Sequence, residues 1–128
     1  MNGREFRGEL TLRTMAMPAD TNTNGDVFGG WLVSQMDLAA AITAKKYAKS
    51  RVSTVAIESV SFKRSVSVGD IVGIYCDLYK VGTPSMKIHV EIWSHKPEVS
   101  QGEKVTEGTF VFVAINDEGE PRAIDSRT

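Results

Sequence analysis

The most constraining feature of this chain is a fourteen-residue segment, residues 31–44, that carries one formal charge, on Asp37. Residues 30–49 contain no proline and are rich in leucine, methionine and alanine, which favours one long helix. Such a helix lacks the continuous polar stripe of a surface helix, so we expect it to be buried nearly all round. The rest of the chain must then pack around this helix.

Five strands are predicted outside this helix. A short strand covers residues 10–14 and is followed by a loop over residues 15–25. Four longer runs rich in β-branched and aromatic residues follow the helix, at 52–63, 71–81, 86–95 and 104–116. Consecutive hairpins are expected at the turn residues 67–70, 82–85 and 97–102. The tail, residues 121–128, is expected to fray.

These elements predict an α+β fold with an antiparallel sheet of about five strands wrapped around one long central helix. The clearest alternation is in residues 86–95, where apolar residues alternate with His89, Glu91 and other polar side chains. This pattern is typical of a half-buried strand. At 128 residues the chain has the length of one domain with one core. The single Cys76 alternates with apolar residues and is expected to pack in that core.

Composition excludes several classes of function. Fifteen basic and sixteen acidic residues give a net charge of −1, so we expect no nucleic-acid partner. Residues 27–44 contain too many polar residues and glycines for a membrane span, and residues 1–9 have no apolar signal region. We therefore expect a cytoplasmic protein with no membrane partner. His89 and His95 share one predicted strand, which gives no zinc-ligand spacing, so no metal site is expected.

Asp37 is the first candidate functional residue. An ionised carboxylate is costly to bury without a partner, so buried acids tend to mark functional sites. On a helical wheel it shares a face with small residues, which leave room for a substrate or for another backbone: Gly30, Ser34, Ala41, Ala44 and Ala48. The structural alternative is tight packing with Asp37 bound to a backbone amide. The residues alone leave both interpretations open.

The start of the helix supplies a second candidate. N–H groups in a first helical turn lack intrahelical partners, and the helix dipole there favours developing negative charge. Gly29 and Gly30 would let a ligand approach this backbone closely. Seven residues of helical rise separate Gly30 from Asp37 by about 10 Å, enough for a carbonyl group and a water. Asp26, just before the helix, fits a helix cap or loop structure as well as a share in catalysis.

The chain resembles the hotdog-fold acyl-CoA thioesterases, and among them the bacterial YciA type. The resemblance is carried by NGDVFGGWLVSQMD at residues 24–37, LRTMAMPADTN at 12–22 and VSVGD at 66–70. It covers about residues 8–123 and implies one hotdog domain with an antiparallel sheet curled around the helix. It further implies homodimers with a continuous sheet, often assembled into hexamers as a trimer of dimers, with active sites at the dimer interface.

The resemblance also implies roles for individual residues. Asp37 matches the helix carboxylate that acts as base or nucleophile, and the amide of Gly29, alone or with Gly30, matches the donor that polarises the thioester carbonyl. Asp26 matches an asparagine or aspartate position that, in related two-domain enzymes, completes the site from the other half. Phe28 replaces the histidine that many hotdog thioesterases place before the two glycines.

Contacts to CoA are expected from two basic and two hydroxyl residues: Lys63, Arg64, Thr83 and Ser85. Two positions depart from the family pattern in these regions, since Ser65 stands where relatives often have proline and Pro84 interrupts the loop. The resemblance implies hydrolysis of acyl-CoA to a free carboxylic acid and CoA, in fatty acid metabolism and without a cofactor. The alternative is a protein of the same fold that binds and sequesters acyl-CoA without hydrolysing it.

Overall fold

The computed structural model describes residues 6–95 and 102–124. Its long helix and strands confirm the α+β prediction, and every predicted boundary lies within one residue of the observed one. The elements, in chain order, are β1 (Glu9–Met15), a short 3-10 helix (Pro18–Asp20), α1 (Gly29–Ala48), β2 (Arg51–Phe62), β3 (Ile71–Val81), β4 (Ser85–His95) and β5 (Glu103–Ile115).

The strands form one antiparallel sheet in the order β1-β3-β4-β5-β2. The predicted hairpins are correct for β3, β4 and β5, but the prediction that β2 and β3 form a hairpin is wrong. β2 pairs with β5, so residues 63–70 lead from one edge of the sheet to its other half. Turn residues mark where a chain bends but do not decide whether the strands on either side pair. The turn predicted at 97–102 lies, except for Gly102, outside the described residues.

The helix packs against one face of this sheet. Its buried residues are Leu32, Met36, Ala39, Ala40, Ala44 and Ala48, and most of them are small enough to let the helix backbone approach the strands closely. The expectation that α1 is buried nearly all round is wrong for the single chain. Leu38 and Ile42 are 50% and 41% exposed, because the sheet covers one side of the helix and leaves the other open.

The opposite face of the sheet is more covered than the sequence predicts. Side chains of β4 alternate as expected, with Ile88 and Val90 fully buried on the helix side. On the other side, however, Trp93 and Glu91 are also buried. Phe6 stacks on Tyr75 with ring centroids 4.2 Å apart and meets Trp93 edge-on at 4.7 Å. The prediction of a half-buried β4 is therefore correct for residues 85–90 and wrong for residues 91–94, since a hydrophobic pattern within one strand does not show what covers its polar face.

Glu91, 4% exposed, is held by a network of polar contacts on this outer face. Its carboxylate accepts hydrogen bonds from Trp93 Nε1 at 2.8 Å and His89 Nε2 at 3.0 Å, and Lys104 Nζ lies 3.6 Å away. Burial by itself raises the pKa of Glu91, but these hydrogen bonds and the charge of Lys104 outweigh burial and leave the pKa lowered. Ionised Glu91 therefore stabilises the fold.

The end of the described chain is also ordered by hydrogen bonds. Arg122 N–H donates to Ala114 O at 2.9 Å, and Ile124 N–H donates to Thr83 O at 2.8 Å. The prediction of fraying is thus wrong for residues 121–124, and residues 125–128 lie outside the described residues. In the described ranges, no helix is long and apolar enough to cross a membrane.

The lowered pKa of Glu91 predicts how stability depends on pH. Its contribution is present above its ordinary pKa of 4.5 and is lost as the pH falls through the lower folded-state value. We expect Glu91→Gln to destabilise the fold by about 1–3 kcal/mol at pH 7, because one charge-assisted hydrogen-bond network is lost. The difference from the parent should shrink in acid.

Thermal unfolding of both proteins between pH 3 and 8, at one protein concentration, measures this difference. Glu118→Gln is the control, because Glu118 is an exposed turn residue. A difference between parent and Glu91→Gln that stayed constant across this pH range would contradict the assignment.

Candidate functional site

Asp37 lies on α1 where the helix faces β2. Thr54 Oγ1 on β2 donates a hydrogen bond of 2.7 Å to Asp37 Oδ1. The side chain of Asp37 is partly buried, and its second oxygen, Oδ2, receives no hydrogen bond from any residue that the structure describes. The alternative in which a backbone amide holds Asp37 is wrong, because its partner is a side-chain hydroxyl. One carboxylate oxygen is thus fixed and the other is free to act on a ligand.

Sequence reasoning missed Thr54. It is seventeen residues from Asp37 in the chain, and only the antiparallel return of the chain after α1 brings the two together. A weak signal was present, because the alternation of β2 places Thr54 with Val52 and Ala56 on the less exposed side of the strand. A hydroxyl among such positions needs a hydrogen-bond partner, and the nearby helix contains one carboxylate.

The start of α1 has the open backbone that the sequence predicts. Phe28 is the N-cap residue, and no side chain caps the helix, so the interpretation of Asp26 as a helix cap is wrong. Within residues 6–95 and 102–124, no group accepts a hydrogen bond from the N–H of Gly29 or Gly30. A ligand oxygen placed there would meet two free donors and the positive end of the helix dipole.

The two glycines are not required by the backbone of the chain itself. Neither has a positive φ angle. A methyl group added to Gly30 would meet only the ring of Phe28, at an ordinary contact distance of 3.6 Å. The space in front of Gly30 is therefore open, as a site for a ligand requires.

Asp26 belongs to a loop that is organised by Asn22. Asn22 Oδ1 accepts hydrogen bonds from the N–H of Asn24 at 2.8 Å and of Asp26 at 3.2 Å, and Asn22 N–H donates to Asp26 O at 2.7 Å. Ser67 Oγ donates to Asp26 Oδ1 at 3.5 Å. The loop interpretation of Asp26 is thus correct, and its share in catalysis stays a prediction. Sequence reasoning missed the role of Asn22. Asn side chains in turns often accept a hydrogen bond from the backbone two residues further on, as Asn22 does from Asn24.

The four residues expected to contact CoA lie in two separate places. Lys63 follows Phe62, which pairs with Thr106 of β5, whereas Ser85 pairs with Val113. These two positions of β5 are seven residues apart in the chain, which corresponds to about 23 Å. Lys63 Nζ also forms an ion pair of 3.3 Å with Glu107 Oε2. One protomer therefore does not bring Lys63 and Arg64 together with Thr83 and Ser85, and their roles stay predictions.

His89 lies in a cluster that could be mistaken for a metal centre. One donor atom each from His89, Glu91 and Glu107 lies within 4.8 Å of the others. Lys104 Nζ, however, is 3.2 Å from Glu107 Oε1 and 3.6 Å from Glu91 Oε2, and Lys63 Nζ is 3.3 Å from Glu107 Oε2, so ammonium groups already pair with both carboxylates. Ion pairing explains the cluster without a metal.

A large cavity lies away from Asp37. It measures about 680 Å³ and lies between the second half of α1 and strands β1 and β3, with Ile42, Tyr47 and Cys76 among its lining residues. Cys76 is buried as predicted, and burial raises the pKa of its thiol although Thr11 and Thr43 interact with the sulfur. A thiol with a raised pKa is a poor nucleophile at neutral pH, so Cys76 does not replace Asp37 as the candidate chemical group.

Comparison with known proteins agrees with this fold. Residues 24–101 match the thioesterase superfamily. The acyl-CoA thioester hydrolase YciA of Escherichia coli (strain K12) is 50% identical over 121 residues, which cover 92% of each chain. A hexameric thioesterase from Yersinia pestis has a TM-score of 0.90 and 50% identity over 95% of this chain and 99% of that one.

A hexameric hotdog-fold thioesterase of Campylobacter jejuni superposes with a TM-score of 0.86 and 36% identity, over 92% of this chain and 91% of that one. The matched region contains both the helix with Asp37 and the strand with Thr54. The chain therefore belongs to the thioesterase superfamily and has its hotdog fold.

Proposed function

We propose that this protein hydrolyses acyl-CoA thioesters to a free carboxylic acid and CoA. The observation that carries the proposal is Asp37, whose Oδ1 is held by Thr54 while Oδ2 is free, on the same helix whose first amides are open. Relatives about half identical over nearly the whole chain are named acyl-CoA thioester hydrolases. The reaction needs no cofactor, because CoA is part of the substrate and of the product.

In one route Asp37 acts as a general base. The thioester oxygen accepts a hydrogen bond from Gly29 N–H, which polarises the carbonyl carbon. Asp37 Oδ2 takes a proton from a water, and the water oxygen attacks that carbon. The tetrahedral intermediate places its negative charge on the oxygen at Gly29, and its collapse breaks the carbon–sulfur bond. The CoA thiolate then takes up the proton and leaves as a thiol.

In the second route Asp37 is the nucleophile. Oδ2 attacks the same carbon, and CoA leaves as the thiolate while a mixed anhydride with Asp37 forms. Water then attacks the anhydride and breaks one of its carbon–oxygen bonds, which restores the carboxylate and releases the acid. The remaining proton of the water converts the CoA thiolate to the thiol. Both routes use the amide of Gly29 for the oxyanion and the hydroxyl of Thr54 to orient the carboxylate.

We further propose that the chain works as a cytoplasmic homo-oligomer, a trimer of dimers. The similar structures from Yersinia pestis and Campylobacter jejuni are hexameric. In this chain β2 is an edge strand, and its Val55 and Ile57 are exposed. Pairing of β2 with its copy would cover these side chains and continue the sheet. It would also bring a second subunit beside Thr54 and Asp37, where Asp26 of the other copy could orient the water or the carbonyl.

Replacement of the carboxylate tests the proposed reaction. We expect Asp37→Asn to lower kcat by about 10² to 10⁴, because an amide can neither accept the proton of water nor attack the thioester. The fold should persist, since Asn can still accept the hydrogen bond from Thr54. Thiol release from a panel of acyl-CoAs measures the rate, and circular dichroism checks the fold.

A parent protein that bound acyl-CoA tightly without releasing thiol would instead establish the non-hydrolytic alternative. Parental rates in Asp37→Asn would contradict the assignment of Asp37. Asp117→Asn is a matched control in an exposed turn.

The hydrogen bond from Thr54 predicts a positioning role. Thr54→Val keeps the size of the side chain but removes the donor to a charged acceptor, an interaction worth about 1.5–3 kcal/mol. We expect kcat to fall about 10- to 100-fold with little change in KM, since the hydroxyl orients Asp37 and does not bind substrate. Thr54→Ser restores the hydroxyl and should recover most of the rate. A loss of activity equal in both variants would show that Thr54 matters only for packing.

The oligomer is tested by the mass of the particle. We expect light scattering to give six times the mass of one chain. Val55→Lys should produce smaller particles, because it introduces a charge on the exposed side of the edge strand β2. Val81→Lys, at the exposed end of β3, is the control and should leave the hexamer intact. A Val55→Lys hexamer would exclude pairing through β2.

A further inference from the structure

Two exposed phenyl rings lie beside the open amides at the start of α1. Phe28 and Phe62 are 46% and 52% exposed, and neither belongs to the hydrophobic core. A methyl group added to Gly29 would lie 3.3 Å from Phe62 Cζ, and one added to Gly30 would lie 3.6 Å from Phe28 Cδ2. Each glycine therefore has one ring within contact distance of the position that a Cβ atom would occupy.

The ring of Phe62 is close to the proposed oxyanion donor. A Cβ atom lies about 2.5 Å from the nitrogen of its own residue, so Phe62 Cζ is within about 6 Å of the Gly29 nitrogen. An oxygen that accepts a hydrogen bond from this nitrogen lies about 2.9 Å from it. A carbonyl oxygen bound at Gly29 and the ring of Phe62 would thus both lie within about 6 Å of the same nitrogen atom.

In the single chain these two exposed side chains contribute little to the stability of the fold. About half of the surface of each residue is open to solvent, which forfeits much of the free energy that burial of a phenylalanine gives. Exposed apolar groups that cluster around free polar groups are typical of ligand-binding surfaces. The free polar groups at this surface are the amides of Gly29 and Gly30.

We propose that Phe28 and Phe62 contact acyl-CoA and hold its thioester against the amide of Gly29. This inference rests on the proposed function. The thioester carbonyl is flanked by two apolar arms, the ethylene group on the sulfur side and the acyl chain on the other. The two rings beside the Gly29 N–H could therefore each contact one of the two apolar groups beside the carbonyl. The rings also exclude water from the oxyanion, which strengthens its hydrogen bond to Gly29.

Truncation of each ring tests the proposal. Kinetics of Phe28→Ala and Phe62→Ala are compared with those of Phe28→Leu, Phe62→Leu and the parent on acyl-CoAs of increasing chain length. We expect the alanine variants to lose about tenfold or more in kcat/KM, and the leucine variants to keep most of it, because leucine retains apolar contact. Tyr79→Ala removes an aromatic ring of similar exposure that lies on β3, and should leave kcat/KM unchanged.

Two further measurements make each outcome decisive. Calorimetry gives the affinity for a non-hydrolysable analogue in which a methylene separates the sulfur from the carbonyl, and we expect the alanine variants to bind it about tenfold or more weakly. Light scattering reports the assembly of each variant. Parental affinity and kcat/KM in the alanine variants overturn the proposal. Loss of assembly in both variants of a ring assigns that ring to a subunit contact and also overturns it.

Failure of the proposed function can be distinguished from failure of the proposal about the two rings. A parent protein that released no thiol from any acyl-CoA would refute hydrolysis, yet the analogue would still report whether the rings contact an acyl-CoA. An active parent with unaffected ring variants would refute only the role of the rings.

Discussion

The contact between α1 and the inner face of the sheet is the interaction on which the rest of the structure depends. Small residues such as Ala40 and Ala44 let the helix backbone approach, and large residues of the strands such as Phe110 and Phe112 fill the space between. Burial of these apolar groups is the main favourable term in such a fold. It also fixes which residues of the helix can face β2, and so brings Asp37 to Thr54.

The candidate site lies at the edge of the α1 surface that the sheet covers. The buried side of α1 holds the helix in place, while its start and its outer side, with Leu38 and Ile42, remain open in the single chain. Partial burial suits a reactive carboxylate. Deeper burial would make its charged form less stable, and full exposure would leave it without a fixed orientation and without a dry environment for the reaction. Here one oxygen of Asp37 is oriented by a neutral hydroxyl and the other is free.

The outer face of the sheet follows a different principle. Its charges neutralise one another in contacts among Glu91, Glu107, His89 and lysines, and an aromatic cluster around Trp93 covers part of it. These groups stabilise the sheet without taking part in the proposed chemistry. The carboxylates of the outer face are thus paired with cations, whereas Asp37 is not paired with a cation among the described residues. The acidic groups on the two sides of the sheet therefore differ in what they do.

The sequence by itself determined the elements and indicated candidate site residues, because periodicity, turn residues and the lone charge in an apolar helix are local properties. It predicted the bounds of α1 and of the strands, the open amides at Gly29 and Gly30, and Asp37 as the chemical group. Only the tertiary structure decided that β2 pairs with β5, that Thr54 holds Asp37, that Phe62 lies against Gly29 and that the outer face of β4 is covered. Each of these depends on contacts between residues far apart in the chain, and a pattern within one segment carries no information about its partner.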